Sequence, residues 1–341
     1  MSFIAPAHPS IATFRDLIGA PHRLAIIGHY NPDGDAMGSA LGMGHALRAM
    51  GRTVDVLMPN TPPAFLQWMP GYPDVVCADR SRDRAEQLLR EADVVLCLDF
   101  NRVDRVGPLA EQLSLVRCRV LIDHHQHPDI DVAVGFSDTG SSSTSQMVFD
   151  IIDALGQAGR IGPDAATCLY TGIMTDTGSF RFPATTPHTH RVAARLLEMG
   201  ARPHEIHAAV MDENTMHRVK LLGFMLSERL TVHEDLGTAV IALSRQDLDR
   251  HHFHPGDTEG FVNYGLSIRG VRLSAFFMER GDRIKISLRS VGDLPVNELL
   301  AEHFDGGGHI NAAGGQSLTD LRSTIDRFMQ VLPTFLEAHP A

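Results

Sequence analysis

Leu24-Ala25-Ile26-Ile27-Gly28-His29-Tyr30-Asn31-Pro32-Asp33-Gly34-Asp35 runs from a short apolar stretch into a turn carrying one histidine and two aspartates. The residues that follow, Ala36 to Met50, are rich in alanine, leucine, methionine and glycine, which predicts a helix packed closely on a sheet. Strand, polar turn and helix in that order open a crossover unit. The pattern recurs: apolar runs at Thr53–Met58, Val94–Asp99 and Val120–Asp123, with another near Val132–Phe136, alternate with helical segments. This predicts an α/β fold whose N-terminal sheet is mainly parallel and flanked by helices.

From Ser143 to Gly200 the periodicity is helical, with starts signalled by Ser143, Pro163 and Pro187. A helical connector from Pro203 to about Glu228 leads to a second, smaller α/β domain. Strands are expected there at Thr238–Leu243, Leu273–Met278 and Arg283–Leu288, and helices near Gly256–Tyr264 and Val296–Phe304. The expected division is 1–200, 201–229 and 230–341, with the active site in the cleft between the two domains.

The 341 residues suffice for about two domains, and a hydrophobic content of 43% supports sizeable cores. A net charge of −11 argues against tracking long duplex nucleic acid, whose binding needs many lysine and arginine contacts to phosphate. Small nucleotides with few phosphates stay compatible. Cys77, Cys97, Cys118 and Cys168 are widely spaced and form no CxxC pair, so neither a zinc finger nor a disulfide framework is indicated. No run approaches the ~18 apolar residues of a membrane helix, and the N-terminus lacks a basic start before an apolar core. A cytoplasmic protein with no membrane partner is expected.

Six acids and imidazoles fall at the ends of apolar runs: His29, Asp33, Asp35, Asp99, His124 and Asp176. In open α/β sheets, ligands gather at the carboxyl ends of strands. Any one of these residues alone reads as a cap or turn residue. Four segments together point to a site for two divalent metals, with hard oxygen and imidazole donors suiting manganese first and magnesium or cobalt as alternatives. Asp33 and Asp35, two apart, would share one side of an extended loop, and the following helix would offer free amides to a phosphate.

HYNPDGDAMGS, LDF, IDHH and TDTGSF resemble, in order, the four motifs of the DHH phosphoesterase superfamily, whose name is the triplet Asp123-His124-His125. Phe304 to Gly315 resembles the GGGH signature of its associated substrate-binding domain. The resemblance covers nearly the whole chain, and DTEGFVN and KISLRS look most like the compact bacterial branch acting on very short oligoribonucleotides and 3′-phosphoadenosine 5′-phosphate (PAP). It implies His29 and Asp33 as ligands of one metal, Asp35, His124 and Asp176 as ligands of the other, and Asp99 as the bridge. Asp123 would orient an imidazole, and His125 would contact the scissile phosphate or protonate the leaving oxygen. Gly306, Gly307 and Gly308 are expected to form an anion-binding nest with His309 at its mouth, and Arg269 and Arg289 to clamp phosphate. Homodimers are common in the resembled group. The competing readings are a cyclic di-AMP or linear diadenylate phosphodiesterase and, from another class, a nucleotide sensor without turnover.

Blander readings stand beside these. Arg289 fits the exposed side of an alternating strand, and Arg269 carries less signal still. Arg181 fits a surface ion pair as well as a phosphate contact. His251-His252-Phe253-His254 reads as a solvated loop, and Asp257 as a helix N-cap. His204 and His207, three apart on a predicted helix, have no further ligand nearby in the sequence.

Overall fold

Every residue of Val94–Leu98 is buried, which is what a strand covered on both faces requires. It is β4 of a six-stranded sheet that also contains β1 (Leu24–Ile27), β2 (Val54–Met58), β3 (Val76–Cys77), β5 (Arg119–Asp123) and β6 (Val134–Ser137). The spatial order is β3-β2-β1-β4-β5-β6, and every pairing is parallel. The chain leaves β1 toward β2 on one side and β4 toward β5 on the other. The crevice where ligands collect in such sheets therefore opens beyond the ends of β1 and β4.

This computed structural model describes residues 4–340, and the chain divides into two units, Met1–Glu213 and Asn214–Ala341. The helices of the first are α1 (Pro9–Gly19), α2 (Gly34–Ala49), α3 (Arg82–Glu91), α4 (Ala110–Ser114), α5 (Thr144–Ala154), α6 (Pro163–Asp176), α7 (Pro187–Glu198) and α8 (Pro203–His207). Alternation along the strands sorts the core. Leu24, Ile26, Leu96, Leu98 and Ile122 pack with Met37, Leu41, Phe149, Leu169 and Ile173 of α2, α5 and α6. Ala25, Ile27, Val95, Cys97 and Leu121 face Leu88, Leu89 and Leu113 of α3 and α4.

The glycines of α2 set the approach of α6. A Cβ at Gly34, Gly38 or Gly42, spaced four apart on one face, would come 2.2 Å from Thr175 Oγ1, 2.6 Å from the Cys168 carbonyl oxygen or 2.4 Å from Leu169 Cδ2. The small stripe thus brings α6 nearly to backbone contact with α2. Their ends carry Asp35 and Asp176.

The second unit holds a mixed sheet of β7 (Leu230–His233), β8 (Thr238–Leu243), β9 (Leu273–Arg280), β10 (Arg283–Ser290), β11 (Asp305–His309) and β12 (Ala312–Ser317), in the order β11-β12-β10-β9-β8-β7. Only β8 and β9 pair in parallel. Its helices are α9 (Met216–Phe224), α10 (Arg245–Arg250), α11 (Val296–His303) and α12 (Leu321–Ala338). No helix forms over Gly256–Tyr264. Gly256 (φ 103°) and Gly260 (φ 78°) are left-handed and break it, and a 3-10 segment, Phe261–Ser267, follows. Asp257 caps no helix; its Oδ2 accepts the His254 N–H at 2.7 Å. Among the described residues no helix is long and apolar enough to cross a membrane.

Candidate metal centre

The ends of β1, β4, β5 and α6, together with the start of α2, place His29, Asp33, Asp35, Asp99, His124 and Asp176 in two adjoining groups. Ligand atoms of His29, Asp33 and Asp99 all lie within 4.8 Å of one another, and so do those of Asp35, His124 and Asp176. Asp99 faces both groups with different oxygens. Its Oδ2 is 3.7 Å from His29 Nε2, and its Oδ1 is 3.6 Å from His124 Nε2. His29 Nε2 also lies 3.7 Å from Asp33 Oδ1, and His124 Nε2 lies 3.4 Å from Asp176 Oδ2 and 3.9 Å from Asp35 Oδ2.

These separations fit cations. They exceed the ~2.7–3.2 Å of a hydrogen bond. Two ligands each about 2.1 Å from one ion stand roughly 3.0–4.2 Å apart, depending on the angle between them. The set contains oxygen and imidazole donors and no thiolate, as a hard divalent ion prefers.

The surroundings aim each donor. His29 Nδ1 donates to the Tyr30 carbonyl at 3.0 Å and His124 Nδ1 to the Ser141 carbonyl at 3.3 Å, so both rings present Nε2 to the carboxylates. Asp35 lies on the N-terminus of α5, accepting the Thr144 N–H at 2.6 Å and the Ser145 N–H at 2.9 Å. Thr144 Oγ1 donates to Asp99 Oδ1 at 2.9 Å. Sequence reasoning used Ser143 only as a helix start and missed this role of Ser141, Thr144 and Ser145. The signal available was a run of five hydroxyl residues at that start. Asp99 sits in left-handed backbone (φ 67°), a conformation that non-glycine residues keep where the surroundings enforce it.

The loop expected to run extended through Asp35 ends at Asp33, because α2 begins at Gly34. Asp33 is the N-cap of α2, its Oδ1 accepting from the backbone of Asp35 and Ala36 at 3.0 Å each, so those two amides are not left for a phosphate. Asp33 and Asp35 consequently face different groups.

Charge crowding shows what the pocket requires. Burial by itself would depress the His29 imidazole, yet the Asp33 and Asp99 carboxylates raise it to about 10. Burial likewise opposes protonation of His124, and Asp99 and Asp35 outweigh it. Asp35 is pushed well above the usual carboxylate range by burial and by the charges of Asp99 and Asp176. Asp99 goes the other way: burial would raise it, but His29, His125 and His124 hold it low. Protons thus occupy a place suited to positive charge.

Beside the two groups, His125 Nδ1 meets Asp123 Oδ1 at 2.7 Å and lies 3.9 Å from Asp99 Oδ1. Asp123 is fully buried, and its Oδ2 has no hydrogen-bond partner among the described residues.

The remaining expected residues lie in the second unit. Gly306, Gly307 and Gly308 form no nest: they belong to edge strand β11, and of the three only Gly308 has positive φ, at 139°. The glycines instead permit close pairing. A Cβ on Gly306 would come 2.6 Å from the Gly314 carbonyl oxygen, and one on Gly308 2.6 Å from that of Ala312. His309 and Arg289 are both in register with Ala312, from β11 and β10 respectively, so they share one row and one face of the sheet. Arg269 is exposed on the loop before β9, off that row.

Comparison with known proteins fits this arrangement. The family model described as "DHH family, N-terminal domain" matches residues 23–173, and the DHHA1 domain matches 231–338. A Thermus thermophilus protein named "Bifunctional oligoribonuclease and PAP phosphatase NrnA" is 33% identical over 84% of this chain and 81% of its own length. The chain belongs to the DHH family. A DHH relative of the same name from Bacillus subtilis is 27% identical over 91% of this chain and 94% of its own. The crystal structure of an exopolyphosphatase-related protein from Bacteroides fragilis is 37% identical, with a TM-score of 0.93 and 98% of each chain covered.

Proposed function

We propose that this DHH-family chain is a metal-dependent phosphoesterase that hydrolyses short oligoribonucleotides to mononucleotides and PAP to AMP. The observation that carries the metal chemistry is Asp99, one buried carboxylate turning Oδ2 to His29 and Oδ1 to His124. The names of the Thermus and Bacillus relatives support the substrate class. On this reading His29 and Asp33 would hold one divalent ion, Asp35, His124 and Asp176 would hold the other, and Asp99, whose two oxygens face both groups, would serve each. Manganese is the ion proposed first. When bound, such a pair supplies Lewis acidity and a water deprotonated near neutral pH.

The chain's own residues do the rest. Asp123 Oδ1 accepts the Nδ1–H of His125 across 2.7 Å and orients the ring; with a second proton on Nε2, His125 would give that proton to the leaving oxygen or bond it to the phosphate. Arg289 and His309, sharing one row of the second sheet, are proposed to grip the nucleotide, with the glycine strand leaving room beside them. Residues 1–200 would form the catalytic domain, 201–229 the connector and 230–341 the substrate domain of a cytoplasmic enzyme.

The test is a side-by-side incubation of the purified protein and manganese with a labelled diribonucleotide, PAP, cyclic di-AMP and pyrophosphate. Mononucleotide from the first and AMP from the second are expected. Faster turnover of cyclic di-AMP would reassign the substrate. Tight dinucleotide binding without product release would make the protein a sensor and overturn the proposal.

A further inference from the structure

One residue beyond Asp176, after Thr177 (φ −89°), the chain makes three consecutive left-handed residues, Gly178 (φ 55°), Ser179 (φ 60°) and Phe180 (φ 63°). Two of them are not glycine. Such a run persists only where neighbours fix it. Within the turn, Thr177 Oγ1 donates to the Ile173 carbonyl at 2.6 Å and accepts the Phe180 N–H at 3.0 Å, while the Ser179 N–H reaches the Met174 carbonyl at 2.8 Å. Two further holds come from distant elements. The Phe180 ring stacks on His190 of α7 (centroids 5.4 Å apart, 27° between planes), and Ser179 Oγ lies 3.1 Å from Nε2 of His207, the last residue of α8.

His207 is built for that contact. Its Nδ1 donates to the Pro203 carbonyl at 2.8 Å, which leaves the Nε2 lone pair to accept the Ser179 hydroxyl proton. The neighbouring His204, by contrast, projects into solvent, 82% exposed, so the two histidines do not act together. Beyond His207 the helix widens into a π-helical segment, Ala208–Asp212, that leads to the end of the first unit. Asp176 is also the least enclosed member of its ligand group: its side chain is 26% exposed, against 1% for Asp35 and 6% for His124.

We propose that His207 is a positioning residue. Through Ser179 it fixes the left-handed turn behind Asp176, and so sets how well the group of Asp35, His124 and Asp176 takes up its cation. The group of His29, Asp33 and Asp99 does not depend on it. This inference rests on the two-cation reading above, and the same titration tests the two separately.

The experiment is calorimetric titration of metal-free protein with manganese, alongside a melting curve for each variant. The unsubstituted protein should bind two ions. His207→Ala should weaken one step by up to roughly tenfold, the lower end of what losing a direct partner of a ligand does, since His207 acts one contact further out, and should leave the other step in place. His207→Gln, which keeps a polar atom near the Nε2 position, should recover most of that loss. Ser179→Ala should match His207→Ala, and the double variant should be no worse than either single one. A purely structural role would lower the melting temperature and weaken both steps alike. The proposal is overturned if folded His207→Ala, or folded Ser179→Ala should the former not fold, binds both ions as the parent does, or if the two losses add. A parent that binds a single ion would instead refute the two-cation reading.

Discussion

Replacing Asp99 with asparagine removes one charge and almost no volume. The fold should tolerate it, because asparagine is among the residues most at ease at φ near 67°, and its side-chain oxygen can still accept the Thr144 hydroxyl. The electrostatic loss is large. Asp99 is 2% exposed and its two oxygens lie 3.6 and 3.7 Å from the imidazoles of the two groups. A unit charge pair about 4 Å apart is worth about 4 kcal/mol at an effective dielectric of about 20, and a divalent ion at closer range feels no less. At 1.4 kcal/mol per decade, each ion should lose at least about a thousandfold in affinity. Calorimetry with manganese, with circular dichroism to verify folding, is the assay. Folded Asp99→Asn that still takes up two ions with parental affinity would refute the reasoning, whatever happened to turnover.

Other outcomes follow from the same geometry. Since burial opposes but Asp33 and Asp99 raise His29 to about 10, manganese uptake must displace a proton; affinity should rise from pH 6 to 9, and heats in buffers of different ionisation enthalpy should reveal the release. The same shift stabilises the metal-free fold fully below pH 6.5 and ever less as pH climbs through about 10, so the metal-free melting temperature should fall across that window while that of the loaded protein holds. His125→Ala should lower kcat by about 10²–10⁴ with little change in manganese affinity, and a loss confined to KM would remove it from proton transfer. Gly308→Ala must place a methyl 2.6 Å from the Ala312 carbonyl oxygen and hold a φ of 139°, so urea unfolding should show a loss of about 2 kcal/mol or more; an unchanged midpoint would mean that β11 yields freely.

Where apolar character and turn chemistry agree, the chain was easy to read. β1 and β4 are continuous apolar runs, β5 has an apolar centre between Arg119 and Asp123, and α5, α6 and α7 begin where Ser143, Pro163 and Pro187 signal them. Less legible was structure set by distant partners. β11 and β12 carry five glycines between them, poor strand formers that pair here because two backbones can approach without side chains. β3 has only two residues, too few for any periodicity. Of the candidate site, the acids and imidazoles stood out by ending apolar runs, and the structure gathers those side chains. What aims them did not: Thr144 and Ser145 meet Asp35 across more than a hundred residues, and Ser179 meets His207 across 28. Asp33 shows a local rule displacing a functional guess, since an aspartate before a helix caps it and thereby takes up its first amides.

The most direct measurement is an anomalous difference map from crystals of this protein grown with manganese. Two peaks about 3.5–4 Å apart are expected. One should lie between His29 and Asp33, the other among Asp35, His124 and Asp176, with one Asp99 oxygen or both within bonding distance of each. A single peak, or a pair of peaks that Asp99 does not touch, would contradict the shared carboxylate on which the proposed chemistry stands.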